Sequence, residues 1–383
     1  MTSASALVPL WNRGAEWERR LAMVREARSF LYLSTFYIEH DSYGLGMLAE
    51  LVAAQRRGVA VNLLIDGFGQ RLGGVLMSSQ QRATLDAMLN DLLRAGAIVT
   101  TYHPARRLQR WLGGGQHVKI QVSEAGEAIF GSSNLSRSSY QGWNEYSVAL
   151  RGPVVRALLD SYRAIGGVVN ESHLRQLDEV ADPGAADLVL DYWLCNPNTG
   201  QGMTGPLGWR GRNLVTDRLI ERIVTAQRSI DLTSFYFKPV EPLLAALVAA
   251  ARRGVQVEVH HSHREALPAT DLAWLAAAAH YHRLLAAGVR IYENRRGEHS
   301  KIVLIDDEWV AFGSYNFEHA AHDRLAEAML ASRDVRATQP AAEIFAELRR
   351  NPDNMLVTPE VVAEWPARLR AQLWLLGRFK RWM

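Results

Sequence analysis

The sequence has one cysteine, no long apolar run and little net charge, and each shortage excludes a class of protein. Because Cys195 stands alone among 383 residues, the chain has no internal disulfide and no metal site built from cysteines. Apolar stretches such as residues 30–38 are about ten residues long, whereas a membrane-spanning helix needs about twenty. The N-terminus lacks the basic start and full apolar run of a secretory signal. We therefore expect neither a transmembrane helix nor such a signal.

Charge and length narrow the choice further. The chain carries 43 Lys and Arg residues against 40 Asp and Glu residues, which leaves a net charge of +3. This balance excludes binding of nucleic acid through bulk charge alone, and we expect no nucleic-acid partner. A length of 383 residues exceeds what one hydrophobic core usually holds and predicts two domains.

An internal repeat organises the chain. Residues 27–38 align with residues 226–237, residues 49–61 align with residues 245–257, and the separation of matched residues shrinks further along the chain. The first copy therefore carries the longer loops. We predict a first domain over residues 1–166, a linker over 167–186, a second domain over 187–350 and a tail over 351–383.

Each copy alternates strand-like and helix-like segments. A β-branched and aromatic run is followed by an alanine-rich segment with helical apolar spacing, then by Arg-Arg-Gly-Val and another apolar run. This order predicts an α/β fold of two tandem domains, each a mostly parallel sheet flanked by helices. Functional groups are then expected at the carboxyl ends of strands.

Five polar residues recur in both copies at the same spacing. A lone His-x-Lys usually carries no function, but packing alone does not select a matched set of polar residues on buried strands. The pattern therefore predicts a catalytic site. Its members are His117 and His299, Lys119 and Lys301, Ser132 and Ser314, Asn134 and Asn316, and Glu145 and Glu327.

These residue types suit phosphodiester transfer. The reaction needs a nucleophile, an acid for the leaving oxygen and positive charge around the phosphoryl oxygens, and the paired residues supply them without a metal or cofactor. We expect the site at a pseudo-twofold interface, where one histidine attacks phosphorus and the other protonates the departing alcohol. Glu145 and Glu327 are expected to accept the second ring N–H of the histidines. The symmetry of the sequence leaves open which histidine attacks.

The spacing His-x-Lys, four residues, Asp, and then Gly-Ser-x-Asn resembles the signature of the phospholipase D superfamily. The acid of this signature is Glu124 in the first copy and Asp306 in the second. Within the superfamily the chain is most similar to bacterial cardiolipin synthases of the short type that lacks transmembrane helices. The similarity extends over residues 16–350 and includes Trp143-Asn-Glu145 and Gly313-Ser-Tyr-Asn316.

The resemblance implies phosphatidyl transfer through a phosphohistidine, with His117 as nucleophile and His299 as acid and base. It implies a phospholipid substrate, phosphatidylglycerol first, and a peripheral position on the cytoplasmic side of the bacterial inner membrane. Two alternatives stay open: a hydrolytic phosphodiesterase of the same superfamily acting on phospholipid or nucleic acid, and a membrane-binding protein without turnover. The oligomeric state is not predicted.

A second group of residues is predicted to bind substrate. Ser132 and Ser314 belong to it, as do His261 and His263, which close an apolar run where the first copy has Asp66-Gly67 and are expected to face the cleft. The resemblance adds Asp271. Arg107 lies in a basic loop before the first motif and could receive an anionic headgroup, although a solvated loop explains it almost as well.

The C-terminal residues 365–383 combine apolar and basic side chains at helical spacing. Five Lys and Arg residues border an apolar side that consists of Leu369, Leu373, Leu376 and Met383, widened by Trp374, Phe379 and Trp382. This pattern predicts an in-plane membrane helix. The alternative is a helix that packs on the catalytic domains or on a dimer partner.

Overall fold

Strands and helices alternate along both halves of the chain in the computed structural model, which describes residues 1–181, 183–204, 211–267 and 271–376. The strands are β1 (Thr2–Ala4), β2 (Ala6–Leu10), β3 (Phe30–Thr35), β4 (Ala60–Asp66), β5 (Ile98–Tyr102), β6 (Gly115–Gln116), β7 (Lys119–Ser123), β8 (Glu127–Gly131), β9 (Ser147–Arg151), β10 (Leu188–Cys195), β11 (Met203–Thr204), β12 (Arg212–Asn213), β13 (Ser229–Ser234), β14 (Gln256–Ser262), β15 (Arg290–Asn294), β16 (Ile302–Ile305), β17 (Trp309–Gly313), β18 (Leu325–Ser332) and β19 (Asn354–Val357). The helices are α1 (Arg13–Glu26), α2 (Ser42–Arg56), α3 (Gly67–Gly73), α4 (Ser79–Arg94), α5 (Arg107–Trp111), α6 (Val154–Ala164), α7 (Glu171–Val180), α8 (Leu214–Thr225), α9 (Glu241–Arg252), α10 (Leu272–Ala278), α11 (Tyr281–Leu285), α12 (His319–Asp323), α13 (Val335–Arg350), α14 (Pro359–Ala363) and α15 (Ala367–Leu376).

Two large mixed sheets form the framework. The first has the order β2-β9-β8-β7-β3-β4-β5, and the second has the order β1-β10-β18-β17-β16-β13-β14-β15-β19 with β6 beside β18. The α/β fold with two repeats is as predicted, but the expectation of mostly parallel sheets is wrong. Only β3-β4-β5 and β13-β14-β15 run parallel within the main order of each sheet in the described part of the chain.

The antiparallel pairs arise where the motif residues lie. A parallel pair needs a long crossover, which α2, α4 and α9 provide, whereas a hairpin needs only a short turn. Strands β7 and β8 pair antiparallel, as do β16 and β17, through the short connections between them. At the second of these turns Asp306 adopts a φ of 56°, a left-handed conformation that aspartate tolerates in turns. The apolar alternation was a sound indicator of strands, but it contained no information about their direction.

The two halves share a hydrophobic core. Helices α6 and α13 contact strands of both sheets, and the core between them joins Phe130 and Tyr146 to Phe312 and Leu330. Tyr146 and Phe312 meet edge to face with ring centroids 5.4 Å apart, an arrangement worth about 1 kcal/mol beyond the buried area. The N-terminal strand β1 pairs with β10 in the second sheet. Helix α7, within the segment predicted as a linker, also packs into this core through Leu174 and Leu177.

The described part of the C-terminal segment packs on the second half. Trp365 lies with its ring centroid 5.6 Å from that of Trp274, and Leu369 and Leu373 join the same core. This packing favours the alternative of a docked helix for residues 365–373. The remaining apolar and basic residues of the prediction, from residue 377 to 383, lie outside the described residues. No helix in the described part of the chain is long and apolar enough to cross a membrane.

Candidate active site

Each motif strand reaches across to the opposite half of the molecule. Residues of β6 pair in parallel with the start of β18, and the backbone N–H of His117 donates to the carbonyl of Ala326 at 2.8 Å. In the other half the N–H of His299 donates to the carbonyl of Asn144, also at 2.8 Å. Ala326 and Asn144 immediately precede the two motif glutamates. The crossing therefore brings each histidine to the glutamate of the other repeat.

The side chains complete this exchange. His117 Nδ1 lies 3.1 Å from Glu327 Oε1 and 3.1 Å from the carbonyl oxygen of Ser314, and His299 Nδ1 lies 2.8 Å from Glu145 Oε2. Because a carbonyl oxygen only accepts, Nδ1 of His117 carries the proton, and the carboxylate of Glu145 sets the same tautomer in His299. Each neutral ring then keeps its lone pair on Nε2.

Two buried lysines supply the positive charge. Lys119 Nζ donates to the carbonyl of His117 at 2.7 Å, and Lys301 Nζ donates to the carbonyl of His299. Burial lowers the pKa of both ammonium groups, that of Lys301 to about 8, while Glu145 and Glu327 oppose the shift. The two ammonium groups repel one another. A phosphodiester anion bound between them would be attracted by both and would offset this repulsion.

The serine hydroxyls are occupied by the glutamates. Ser132 Oγ donates to Glu145 at 2.5 Å and accepts from the N–H of Tyr146 at 3.0 Å; Ser314 Oγ donates to Glu327. The single proton of each hydroxyl is thus used within the protein, where it orients a carboxylate. That both serines also bind substrate stays a prediction.

The two asparagines differ in the hydrogen bonds that their side-chain NH2 groups make. Asn134 Oδ1 accepts from the N–H of Phe36 at 3.3 Å, and Asn316 Oδ1 accepts from the N–H of Phe235 at 3.2 Å. Nδ2 of Asn134 is buried and finds no partner in the described part of the chain, whereas Nδ2 of Asn316 lies 3.5 Å from Glu318. Asn134 thus offers an unused N–H donor, which a phosphoryl oxygen would satisfy.

This site lies inside the segments that match a known family. The family model described as "Cardiolipin synthase, PLD-like domain" matches residues 21–180 and 219–349. The chain belongs to this family. Cardiolipin synthase B of Shigella flexneri is 29% identical over 311 residues, which are 77% of this chain and 68% of that protein. Cardiolipin synthase of Geobacillus kaustophilus is 27% identical over 331 residues, 82% of this chain and 60% of that protein.

Solved structures agree on the fold of this PLD-like chain. Phosphatidylserine synthase of Haemophilus influenzae Rd KW20 superposes with a TM-score of 0.71 at 15% identity, covering 98% of this chain and 95% of that one. Polyphosphate kinase of Porphyromonas gingivalis gives a TM-score of 0.56 at 14% identity over 98% of this chain and 53% of the kinase. The predictions of the PLD-like fold and of a phospholipase D-type enzyme related to cardiolipin synthases are confirmed.

The two glutamates of the PLD-like site have opposite electrostatic environments. Burial alone would raise the pKa of Glu145, but His299, Lys301 and the hydroxyl of Ser132 outweigh it and lower the pKa to about 2. Glu145 also accepts from Ser139 Oγ at 2.7 Å. Burial raises the pKa of Glu327 to about 8 in spite of the opposing charge of Lys119. Glu145 is therefore ionised at neutral pH, while Glu327 is largely protonated.

Both histidines are neutral in this environment. Burial lowers the pKa of His117 well below its usual range, and Lys119 and Lys301 add to the effect. Burial also lowers the pKa of His299, to about 4, but Glu145 opposes the shift. An ionised carboxylate thus favours the imidazolium form of His299.

The motif acids stabilise turns away from the histidines. Glu124 accepts from the N–H of Arg28 at 2.6 Å, and Asp306 accepts from the N–H groups of Arg228 and Ser229 at 2.6 and 2.9 Å. Both carboxylates fasten the hairpin to the residues at the start of the central strand. The exchange of aspartate for glutamate in the first repeat thus keeps the same structural role.

Four weaker candidates lie outside the histidine cluster. His261 is buried against Tyr281, with Nε2 2.6 Å from its hydroxyl, which corrects the expectation that it faces the cleft. His263 lies beside the same network, 3.9 Å from Glu293, and Asp271 pairs with Arg264 at 2.7 Å. Arg107 is exposed at the start of α5. No hydrogen bond or ion pair in the described part of the chain joins these four residues to either motif histidine.

Sequence reasoning missed the aromatic residues around the histidines. The ring of Trp143 stacks on His299 with centroids 5.0 Å apart, and Phe235 meets the same ring edge on at 4.8 Å. Phe36 meets His117 edge on at 4.7 Å. Phe36 and Phe235 occupy matching positions of the repeat, and this match was the available signal. These rings fix the imidazole planes and exclude water.

Proposed function

We propose that the protein is a phosphatidyltransferase that exchanges the alcohol of a phospholipid phosphodiester and forms cardiolipin from two phosphatidylglycerol molecules. The observation that carries the proposal is the crossed arrangement of His117 with Glu327 and His299 with Glu145. It supplies two oriented imidazoles whose Nε2 atoms make no hydrogen bond in the described residues. The names of the relatives support the choice of phospholipid. We include in the proposal a peripheral position at the cytoplasmic face of a bacterial inner membrane.

In the first step, Nε2 of His117 attacks the phosphorus of the donor lipid. A P–N bond forms as the P–O bond to the headgroup alcohol breaks, and His299 gives its Nε2 proton to the departing oxygen. His299 must be protonated for this step. The bound phosphodiester anion, together with Glu145, stabilises its imidazolium form.

In the second step, the acceptor alcohol replaces the first. Nε2 of His299 takes the proton of the acceptor hydroxyl while that oxygen attacks phosphorus, and the P–N bond to His117 breaks. Lys119 and Lys301 stabilise the charge on the phosphoryl oxygens in both steps, and Nδ2 of Asn134 adds an N–H donor. The protein returns to its starting protonation state.

The different states of the two partner glutamates support this division of roles. His117 lies beside a protonated Glu327 and stays neutral, as a nucleophile must. His299 lies beside an ionised Glu145, which favours the imidazolium that an acid requires. The alternative assignment would place the acid in the half of the site with less negative charge.

Products from labelled phosphatidylglycerol test the proposal. We expect cardiolipin and free glycerol in equal amounts, with no loss of label to water-derived products. Phosphatidic acid with glycerol would identify a hydrolase of the same mechanism instead. No turnover of this lipid by the folded protein would contradict the proposed donor, and a parallel assay with a nucleic-acid phosphodiester would then test the other alternative.

A further inference from the structure

The connections before the first motif are longer than those before the second. The separation of matched residues falls from 196 at Gly58 and Gly254 to 182 at His117 and His299. The additional length lies around two short surface segments, residues 67–77 with α3 and residues 103–115 with α5. In the second half, Trp274 and Leu275 of α10 are buried. The first half therefore presents a surface that has no counterpart in the described residues of the second.

Five apolar side chains of these segments are exposed to solvent. They are Leu72 at 50%, Val75 at 61%, Leu76 at 64%, Leu108 at 63% and Trp111 at 81% of their full exposure. Arg71 and Val75 from the first segment and His103 and Arg110 from the second line one cavity of about 620 Å³. The two segments are thus contiguous, and we call them together the insertion surface. Exposed apolar clusters of this kind mark contact sites in soluble proteins.

The charge of the insertion surface has one sign. Its two segments contain no Asp or Glu, and their arginines are Arg71, Arg106, Arg107 and Arg110. Asp86, on α4, is the acidic residue lining the cavity. Arginines beside leucines and an exposed tryptophan are typical of surfaces that lie at the headgroup level of an anionic bilayer.

The insertion surface is joined to the active site through one buried carboxylate. Asp66 accepts from the N–H of Gly69 in α3 at 2.6 Å and from the N–H of Gln116 at 2.8 Å. Gln116 directly precedes His117, and the Nε2 amide of Gln116 donates to the carbonyl of Thr35 at 3.0 Å. A surface held this way has a fixed position relative to the nucleophile.

We propose that the insertion surface docks the protein on anionic phospholipid bilayers. The inference rests on the proposed function in one respect, because a lipid substrate must be taken from a bilayer. The apolar residues insert between headgroups while the arginines contact lipid phosphates. The opening of the PLD-like site is then held beside the source of its substrate.

Vesicle binding tests the proposal with the full-length chain. Vesicles of phosphatidylcholine mixed with phosphatidylserine provide negative charge without the proposed donor lipid. We expect the wild-type chain to float with these vesicles. The partition coefficient of Leu108→Ala/Trp111→Ala should be lower by about tenfold. Arg71→Gln/Arg106→Gln should weaken binding similarly, and added salt should weaken the wild type.

Matched variants separate docking from general surface effects. Val168→Ala/Val335→Ala removes comparably exposed apolar residues elsewhere, at 53% and 64%, and should bind like the wild type. Arg175→Gln is the control for charge. A chain shortened by residues 377–383 should also keep binding. Unchanged binding of both insertion-surface variants, or loss of binding in the shortened chain alone, would overturn the proposal.

A second assay keeps this proposal distinct from the proposed function. On short-chain phosphatidylglycerol in solution, Leu108→Ala/Trp111→Ala should turn over like the wild type and melt at the same temperature. If the wild type binds vesicles but transfers no phosphatidyl group, the docking inference stands and the proposed reaction fails. If the wild type turns over soluble substrate but does not bind the vesicles, the docking inference fails.

Discussion

The two halves of the active site carry the same motif in different surroundings. Glu145 accepts from His299, Ser132 and Ser139, whereas Glu327 accepts from His117 and Ser314. Alanine at position 321 stands where the first repeat has Ser139, and Glu318 stands where it has Ser136. Burial raises the pKa of both glutamates; His299 and Lys301 outweigh it at Glu145, whereas at Glu327 Lys119 does not, and Glu318 adds to the rise. The comparison teaches that matched spacing fixes which groups meet, while their neighbours decide which of them hold protons.

Loss of either histidine is expected to have the largest effect. His117→Ala and His299→Ala should each lower kcat by at least ~100-fold, because each removes one partner of the proposed two-step reaction. The double variant should be no worse than the single ones, since the two act as a unit. With phosphorus-labelled lipid, His299→Ala should still form some protein that carries an acid-labile label, and His117→Ala should form none. Labelling of His117→Ala would reverse the assignment of roles.

The glutamates should differ strongly when each loses its charge. Glu145→Gln is expected to lower kcat by about 100-fold at pH 7, because a neutral amide no longer stabilises the imidazolium of His299. Glu327→Gln should cost less than about tenfold, because Glu327 is already largely protonated. Steady-state kinetics on one soluble substrate checks both. Equal losses in the two variants would contradict the asymmetry.

Stability against pH should separate the same residues by sign. The pKa of Glu145 is lowered from 4.5 to about 2, so its contribution to stability is present above pH 4.5 and lost as pH falls toward 2. The pKa of Glu327 is raised to about 8, so its contribution is present below pH 4.5 and lost as pH rises through 8. We expect Glu145→Gln to lower the free energy of unfolding by about 3 kcal/mol at pH 7.

The free energy of unfolding of Glu327→Gln should increase relative to that of the wild type as pH rises above 4.5. Urea unfolding over a series of pH values measures both effects, with the exposed Glu179→Gln as the control. A pH dependence of the same sign for both variants would show that the two carboxylates share one environment.

A smaller effect is expected from removal of the Ser139 hydroxyl, which alanine replaces at the matching position of the second repeat. Ser139→Ala removes a donor from ionised Glu145 at a cost of about 1–3 kcal/mol in stability. Turnover should fall several-fold, since the pKa of Glu145 rises. Ser138→Ala, in the same turn, is the matched control and should leave both quantities unchanged. Unchanged stability and turnover in Ser139→Ala would show that its hydrogen bond to Glu145 contributes nothing to the difference between the two glutamates.

Chelation should have no effect on the chemistry. In the proposed mechanism the buried Lys119 and Lys301 provide the charge that a divalent cation would bring to the phosphoryl oxygens. We expect the same rate on dispersed substrate with and without EDTA. A complete loss that added metal restores would count against the two-lysine site.

The sequence predicted a set of residues that the fold brings together, but not how they are paired. His117 and Glu145 belong to one copy, and their spacing contains no information about which glutamate approaches which ring. That choice depends on β6 and β18 pairing across the halves, a long-range contact. The prediction of parallel strands was wrong for a similar reason, because apolar alternation is identical in parallel and antiparallel strands. His261 was misplaced because a strand end exposes alternate residues to opposite faces, and this one points at Tyr281.

The crossing of the motif strands also has an evolutionary consequence. With the same crossing, the histidine of a chain with a single repeat would meet the glutamate of a second copy. In such a pair every substitution appears twice, so both halves stay identical and the acid cannot be tuned apart from the nucleophile. Joining two repeats in one gene removes this constraint. Because the two repeats are joined in one chain, matched positions such as Ser139 and Ala321 can differ.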